Sequence, residues 1–394
     1  MYPLRNQSAV RATAWAVLGM LSACSNDEPA VIFDPNSSGA PPPEITALDP
    51  SAEAVAGVTK VKIIGRNFSP ALSENFVYFG TVAGSVISAS PTEIVAVPPN
   101  LVADSLTIRV VVQNAFSPAT YAQPYKLLSI SNPYGTFGVL NSIAIDAQEN
   151  IFANPPGRIL KAAPPGDQAT AFSTLVFQAA STIRSGPGGF LYLQRNRNIR
   201  LYRIPAAGGD AIEYARFPVA ASFFDFDQNG NVYAGGDAGL YALIPNLTTK
   251  AVGQYQNIPI KSVRIFADHV YVATAGANPG IWRNQILATD GSLGNNELYF
   301  DWAQSGAFST FEIGDVTFAE DGDMYVAAER KTSDAILVVH PDKTTAILYP
   351  GALLYPVANF AWGNDESLYI NHGTSAGVSR VAMGKKGAPY YGRQ

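Results

Sequence analysis

The sequence predicts an all-β chain with two folded parts, a β-sandwich over residues 44–128 and a six-bladed β-propeller over residues 129–394. Three observations carry this. Glycine (34) and proline (28) are frequent while only 14% of the 394 residues are charged, a balance that suits turn-rich β structure better than helices. Residues 44–128 alternate apolar and polar positions in short runs between turn signals. The remainder repeats one short aromatic-ended pattern six times, at intervals of about 40 residues.

Ahead of both parts, residues 1–23 read as an export signal. Arg5 and Arg11 make a positive start, residues 14–20 (AWAVLGM) a short apolar core, and small residues follow. The apolar run is too short for a spanning helix, which needs about 20 residues. Leu21-Ser22-Ala23-Cys24 resembles the lipobox of bacterial lipoproteins, which implies diacylation of the Cys24 thiol, cleavage just before it, and membrane attachment through the lipid. The following Ser25, Asn26, Asp27 and Glu28 lack an aspartate in second place, which resembles lipoproteins sent to the outer membrane. A serine followed by acidic residues also resembles the tag with which some Bacteroidetes display lipoproteins on the cell exterior. Cys24 is the sole cysteine, so no disulfide supports the mature fold. Residues 24–43, rich in Pro, Ser, Asn and Asp, are expected to be an extended tether.

In the sandwich, VTKVKII (residues 58–64) places Val58, Lys60 and Lys62 on one face and Thr59, Val61 and Ile63 on the other, as a half-buried strand requires. About 85 residues of such strands suggest two packed sheets. Ile45 with Asp49-Pro50, Gly57, IIGRNF (63–68), VYFG (77–80), Val97-Pro98-Pro99 and VVVQN (110–114) together resemble an IPT/TIG domain, an immunoglobulin-like fold. The resemblance implies a spacer or docking module without catalytic residues. Gly65 is expected at a bend and Phe68 in the core.

The repeats are ENIF, GFLY, GNVY, DHVY, GDMY and ESLY, whose aromatics fall at 152, 192, 233, 271, 325 and 369. An apolar strand precedes each aromatic and two more follow, which is the pattern of a propeller blade. The sixth unit has little chain left, so its outer strand must come from elsewhere. The segment 125–130 or the C-terminal PYYG is expected to close the ring. DQNGNVY (227–233) and the strand ending in IPAAGG resemble NHL and gluconolactonase-type six-bladed propellers.

That resemblance implies a metal-dependent hydrolase, with Glu, Asn and Asp side chains at the starts of the innermost strands binding a divalent cation. The corresponding positions here are Asn141, Ser181, Ser222, Lys261 or Ser262, Gly314 and Ala358; moving by one adds Asp315 and Asn359. No single register gives three ligands, and the expectation is no metal and no cofactor. Among the three histidines, His269 falls in a hairpin, His340 ends a strand, and His372 is placed where it either faces the channel or sits satisfied in the core. A Ser-His-Asp arrangement is set by geometry and stays open, but no nucleophile elbow is identified. The turns at 227–230 and 320–323 fall short of a calcium loop and read as side-chain-capped hairpin turns.

Equivalent inner-strand positions hold Ala144, Arg184, Asp225, Arg264, Thr317 and Ala361. Blades 2, 3 and 4 would then set Arg, Asp and Arg side by side, either as a buried ionic network or as an anion-binding wall. With a formal charge of −5, a nucleic-acid partner is not expected. Three functions remain open: a non-catalytic surface lipoprotein binding a glycan or exported protein, a channel hydrolase, and a structural subunit of an envelope complex. For the first, exposed aromatics are the tools. They are expected among Trp282, Tyr299, Phe300, Trp302, Phe308 and Phe311, where the longest interval accumulates extra chain; Trp302 is the leading candidate, with Tyr390 and Tyr391 behind it. The competing reading makes ELYFDW a fourth blade strand with core aromatics.

Overall fold

The computed structural model describes residues 39–166 and 168–393; the lipidation call at Cys24 lies outside the described residues. Residues 44–128 form the sandwich. One sheet runs Glu44–Asp49, Val61–Arg66, Glu93–Val97, Ser85–Ala89, and the facing sheet runs Ala119–Thr120, Ile108–Val112, Asn75–Phe79, Val82–Ala83. A third, small sheet places Tyr125–Leu128 between Glu53–Val55 and Ala103–Leu106. Alternation builds the core: Val61 and Ile63 are fully buried while Lys62 and Ile64 face outward, and they meet Val77, Phe79, Ile108 and Val110 of the other sheet. The strand starts at Val61, three residues later than VTKVKII suggests, because the amides of Val58 and Thr59 turn back to donate to the Val55 carbonyl. Gly65 is a point of close approach: a Cβ there would lie 1.9 Å from the Glu44 carbonyl oxygen and 2.6 Å from the Phe68 ring.

The propeller has six four-stranded antiparallel blades. Their inner strands are Ile143–Ile145, Thr182–Ser185, Phe223–Phe226, Ile260–Phe266, Ile313–Phe318 and Asn359–Trp362. Each repeated aromatic lies on the second strand, and all six are buried. Their ladder partners are Ala144, Arg184, Asp225, Arg264, Thr317 and Ala361 in turn, so the six positions aligned from sequence are structurally equivalent. The ring closes through Ser131–Pro133, which pairs antiparallel with Val378–Ala382 as the outer strand of blade 6. Of the expected segment 125–130 only its end takes part, the Ile130 carbonyl accepting from the Ala382 amide at 2.9 Å just before the closing strand. Tyr125–Leu128 is held in the sandwich, and the C-terminal PYYG runs elsewhere.

The aspartate turns are side-chain capped. Asp227 Oδ1 accepts from the amides of Asn229 and Asn231 at 2.8 and 2.9 Å, and Asp146 repeats the arrangement in blade 1. The extra chain between blades 4 and 5 is packing. Glu297–Asp301 is the fourth strand of blade 4, Phe300 and Phe308 are buried, and Tyr299 stands edge-on to Tyr271 at 5.0 Å. Trp302 corrects the leading expectation: it is 1% exposed, and its indole N–H donates to the Phe311 carbonyl at 2.7 Å. Its ring has no face to offer a ligand.

Candidate functional site

The inner strands all enter from one end of the propeller, and neighbouring entries are stitched by side-chain hydrogen bonds. Ser142 donates to the Ala180 carbonyl, Ser181 to that of Ser222, and Ser262 to Asp315 Oδ1. Asp315 Oδ2 accepts from the Phe360 amide and Asn359 Oδ1 from that of Ile143, which carries the stitching on to blade 1. These small polar residues are why the entries do not meet at the axis. They leave a funnel of about 500 Å³ whose wall takes residues from every blade, including Asn141, Ser181, Phe223, Lys261, Gly314 and Ala358. Lys261 sits on its rim between Glu312 (2.5 Å) and Glu329 (3.3 Å). Burial opposes its charge, but the two carboxylates raise its pKa overall.

The predicted Arg, Asp and Arg do come together, deeper along the axis. Asp225 is 2% exposed and accepts hydrogen bonds from the Arg264 guanidinium and, at 2.9 Å, from the Ile265 amide. Burial works against charge on Arg264, yet Asp225, Tyr390 and Asp315 raise its pKa. Arg184 is held more loosely. Its Nε lies 4.0 Å from Asp225 and its Nη1 donates at 3.3 Å to the carbonyl of Ile183, whereas Arg264, whose Nε and Nη2 are likewise unbonded, reaches Asp225 directly through Nη1. Although only 8% exposed, it lines the funnel. Within the triad, Arg264 and Asp225 are structural, and Arg184 is the member that meets the cavity.

The opposite end of the channel is covered by residues 384–393. The Glu320 amide donates to the Lys386 carbonyl, and the Ala388 amide donates to that of Phe318 at the end of the blade 5 inner strand. Tyr390 then crosses the axis. Its ring lies 3.6 Å from the Arg264 guanidinium carbon, and its hydroxyl accepts from the Trp362 amide at 3.4 Å. Arg393 donates to the Trp362 carbonyl at 2.5 Å, and burial pushes its pKa down. Gly387 and Gly392 allow the passage: a Cβ would lie 2.2 Å from Trp362 Cγ at the first and 2.6 Å from the Ser185 carbonyl oxygen at the second. The cavity is therefore a cup with a floor.

The funnel residues do not fit a hard divalent cation. Asp315 has its oxygens occupied by Ser262, Val316 and Phe360, Asn359 spans to Ile143 and Asn141, and Asn141 donates to the Asn154 carbonyl. The Lys261 ammonium stands at the same entrance. Among the described residues no three His, Cys, Asp or Glu side chains gather as a metal site would require. His372 is turned away from the funnel. It is 1% exposed, bonded to the Pro356 carbonyl (2.8 Å) and Ser379 Oγ (2.8 Å), and burial lowers its pKa. One correction concerns the neighbouring GTSAG (373–377), which does match G-x-S-x-G spacing. It is a β-hairpin turn between Ser367–Asn371 and Val378–Ala382, with Ser375 exposed, and lacks the strand-to-helix turn of a nucleophile elbow.

Composition could not locate the funnel, because its Ser, Asn and Ala residues are common types scattered over six repeats. One signal was available: they cluster at each strand entry, where apolar residues would otherwise be expected.

Residues 43–126 match the IPT/TIG domain family. No curated protein matches the chain significantly. Solved structures share the fold. An auxiliary nutrient binding protein from Bacteroides thetaiotaomicron superposes with a TM-score of 0.54 at 13% identity, over 89% of this chain and 98% of its own. A second, from Bacteroides ovatus, gives 0.54 at 14%, over 89% and 99%. A luciferin-regenerating enzyme gives 0.52 at 17%, over 66% of this chain and 96% of its own. The chain thus joins an IPT/TIG domain to a propeller fold found in binding proteins and enzymes alike, and function must be argued from the site.

Proposed function

We propose that the mature protein is a non-catalytic outer-membrane lipoprotein, anchored through Cys24 and facing the cell exterior, that holds a glycan in the propeller funnel. The IPT/TIG domain and the tether at 24–43 carry the propeller off the membrane. The observation that carries this reading is the floored cup of about 500 Å³ itself, with Arg184 reaching it from an almost buried position. Its volume lies within the range of small-ligand sites and is too confined for a protein surface. The wall mixes hydroxyls and amides with the Arg184 guanidinium, the Lys261 ammonium, the carboxylates of Asp315 and Glu329, and apolar patches from Phe223 and Val263, a lining that suits a sugar with polar edges and an apolar face. Two nutrient-binding neighbours with the full two-part fold are consistent with this role. The catalytic alternative has little support in the funnel, where the Asp315 carboxylate and the Asn359 oxygen already bond neighbouring blades and Glu329 is paired with Lys261.

The test is retention on a glycan array followed by calorimetry, with lipid-free residues 25–394. Arg184→Met should weaken the retained glycan by about 10- to 100-fold, the loss expected for one charge-assisted hydrogen bond. Its melting profile serves as the folding control. Absence of any retained glycan, or calcium-dependent hydrolysis of lactones or esters, would overturn the proposal.

A further inference from the structure

The funnel is not an isolated cup. Three of its wall residues, Asn196, Phe223 and Lys261, also line a second depression of about 560 Å³ over the gap between blades 3 and 4. That depression shares Pro259 and Ala275 with a third, of about 380 Å³, farther out along the same gap. The three adjoin through these shared residues in a row from the axis to the rim. Pro259 and the alanine and glycine at 275–276 present little side-chain bulk along this track.

The outer end of the track differs chemically from the rest of the surface. Trp282, on the third strand of blade 4, forms its wall and is half-buried. Unlike Trp302, its indole N–H has no hydrogen-bond partner among the described residues. Around it stand Gln254, Asn257 and Asn278, exposed residues whose side-chain amides likewise have no internal partner. The scaffold beneath is rigid. Asn296 accepts from the Gln254 amide at 2.9 Å and from Asn284 Nδ2 at 2.8 Å, and Tyr255 donates to Asn284 Oδ1 at 2.5 Å. A fixed aromatic with a free N–H, ringed by free neutral amides, is the equipment for one sugar ring: the aromatic covers its apolar face and the amides meet its hydroxyls. The lining of this outer section has no charged side chain that would favour a phosphate or a peptide acid. Arg197 and Asp237 in the middle section are paired at 2.7 Å.

We infer that the ligand is an oligosaccharide several residues long, with one end in the funnel and the chain running out between blades 3 and 4 to a distal subsite on Trp282. This rests on the glycan reading of the funnel and adds the ligand's length, direction and second contact. Defined ladders of one to six sugars, uncharged (cello-, malto- and xylo-oligosaccharides) and acidic (oligogalacturonates), are titrated into residues 25–394. For the series that binds, affinity should rise with length and then level off. Trp282→Ala should remove about tenfold from the long members and leave the shortest unchanged. Because Trp282 also packs on its blade, the exposed pair Asn257→Gly, where glycine suits the positive φ of 60°, with Asn278→Ala is measured in parallel and should flatten the same length dependence with little change in melting. Binding that depends on Arg184 but not on length, Trp282 or the two asparagines would overturn the inference and leave the funnel reading standing. Failure of every ladder to bind would overturn both.

Discussion

Replacing Asp225 by asparagine tests whether the channel is held by one ionic network. The side chain is 2% exposed and is the shared anion between Arg264, itself 1% exposed, and Arg184 at 4.0 Å. Asparagine keeps the size and can still accept from the Ile265 amide, so the change removes charge and little else. Breaking a buried pair while leaving its partner charged costs about 3–5 kcal/mol. For a propeller of this size that is roughly ten degrees in Tm. Arg264→Met alone should cost less, because Asp225 keeps the Ile265 amide and Arg184 nearby. The double variant removes both charges and should recover much of the loss, giving a coupling energy of at least about 2 kcal/mol. The assay is urea denaturation followed by tryptophan fluorescence. In residues 25–394 the tryptophans, Trp282, Trp302 and Trp362, all lie in the propeller, so the signal is free of the sandwich. Additive single effects, with coupling below about 0.5 kcal/mol, would refute the network.

Three further outcomes follow from the same geometry. Tyr390→Ala removes the ring 3.6 Å from the Arg264 guanidinium and should lower propeller stability by about 2 kcal/mol, the scale of a desolvated cation–π contact, as read by the same denaturation. Gly65→Ala places a Cβ 1.9 Å from the Glu44 carbonyl oxygen and should unfold the sandwich, while the propeller's tryptophan transition stays where it was. His372 has a lowered folded pKa, so the unfolded chain takes up its proton first. Its contribution to stability is complete above about pH 6.5 and is lost as pH falls towards the folded value, by at most about 1.4 kcal/mol per pH unit. His372→Gln should remove that part of the acid dependence between pH 7 and 5, checked by urea titrations at each pH.

The architecture was legible because it repeats. An aromatic at one ladder position in each of six blades aligns the inner strands, and that alignment alone brought Arg184, Asp225 and Arg264 to equivalent places before any contact was known. What does not repeat was not legible. Trp302 and Trp282 both fall in the aromatic-rich stretch between blades 4 and 5. Composition could not tell that a short turn folds one inward to bond Phe311 while a strand leaves the other at a groove wall. The ring-closing strand is only three residues, SNP, with no apolar pattern, and takes its identity wholly from its partner in blade 6. The C-terminal PYYG reads in sequence as a candidate ring-closing strand, with Tyr390 and Tyr391 as minor ligand candidates. Its role as the channel floor depends on glycines 387 and 392 passing where no side chain fits, a property of the surrounding blades and not of the segment.

The central claim is that the floored funnel holds a sugar and performs no chemistry on it. The most direct measurement is a crystal structure of residues 25–394 with the tightest-binding glycan and calcium both present. The account predicts an intact glycan seated against Arg184 and extending towards Trp282, with no cation among the funnel oxygens. A glycan bound to the sandwich instead, or a calcium ion held by Asp315, Asn359 and Asn141 beside a cleaved ligand, would contradict it.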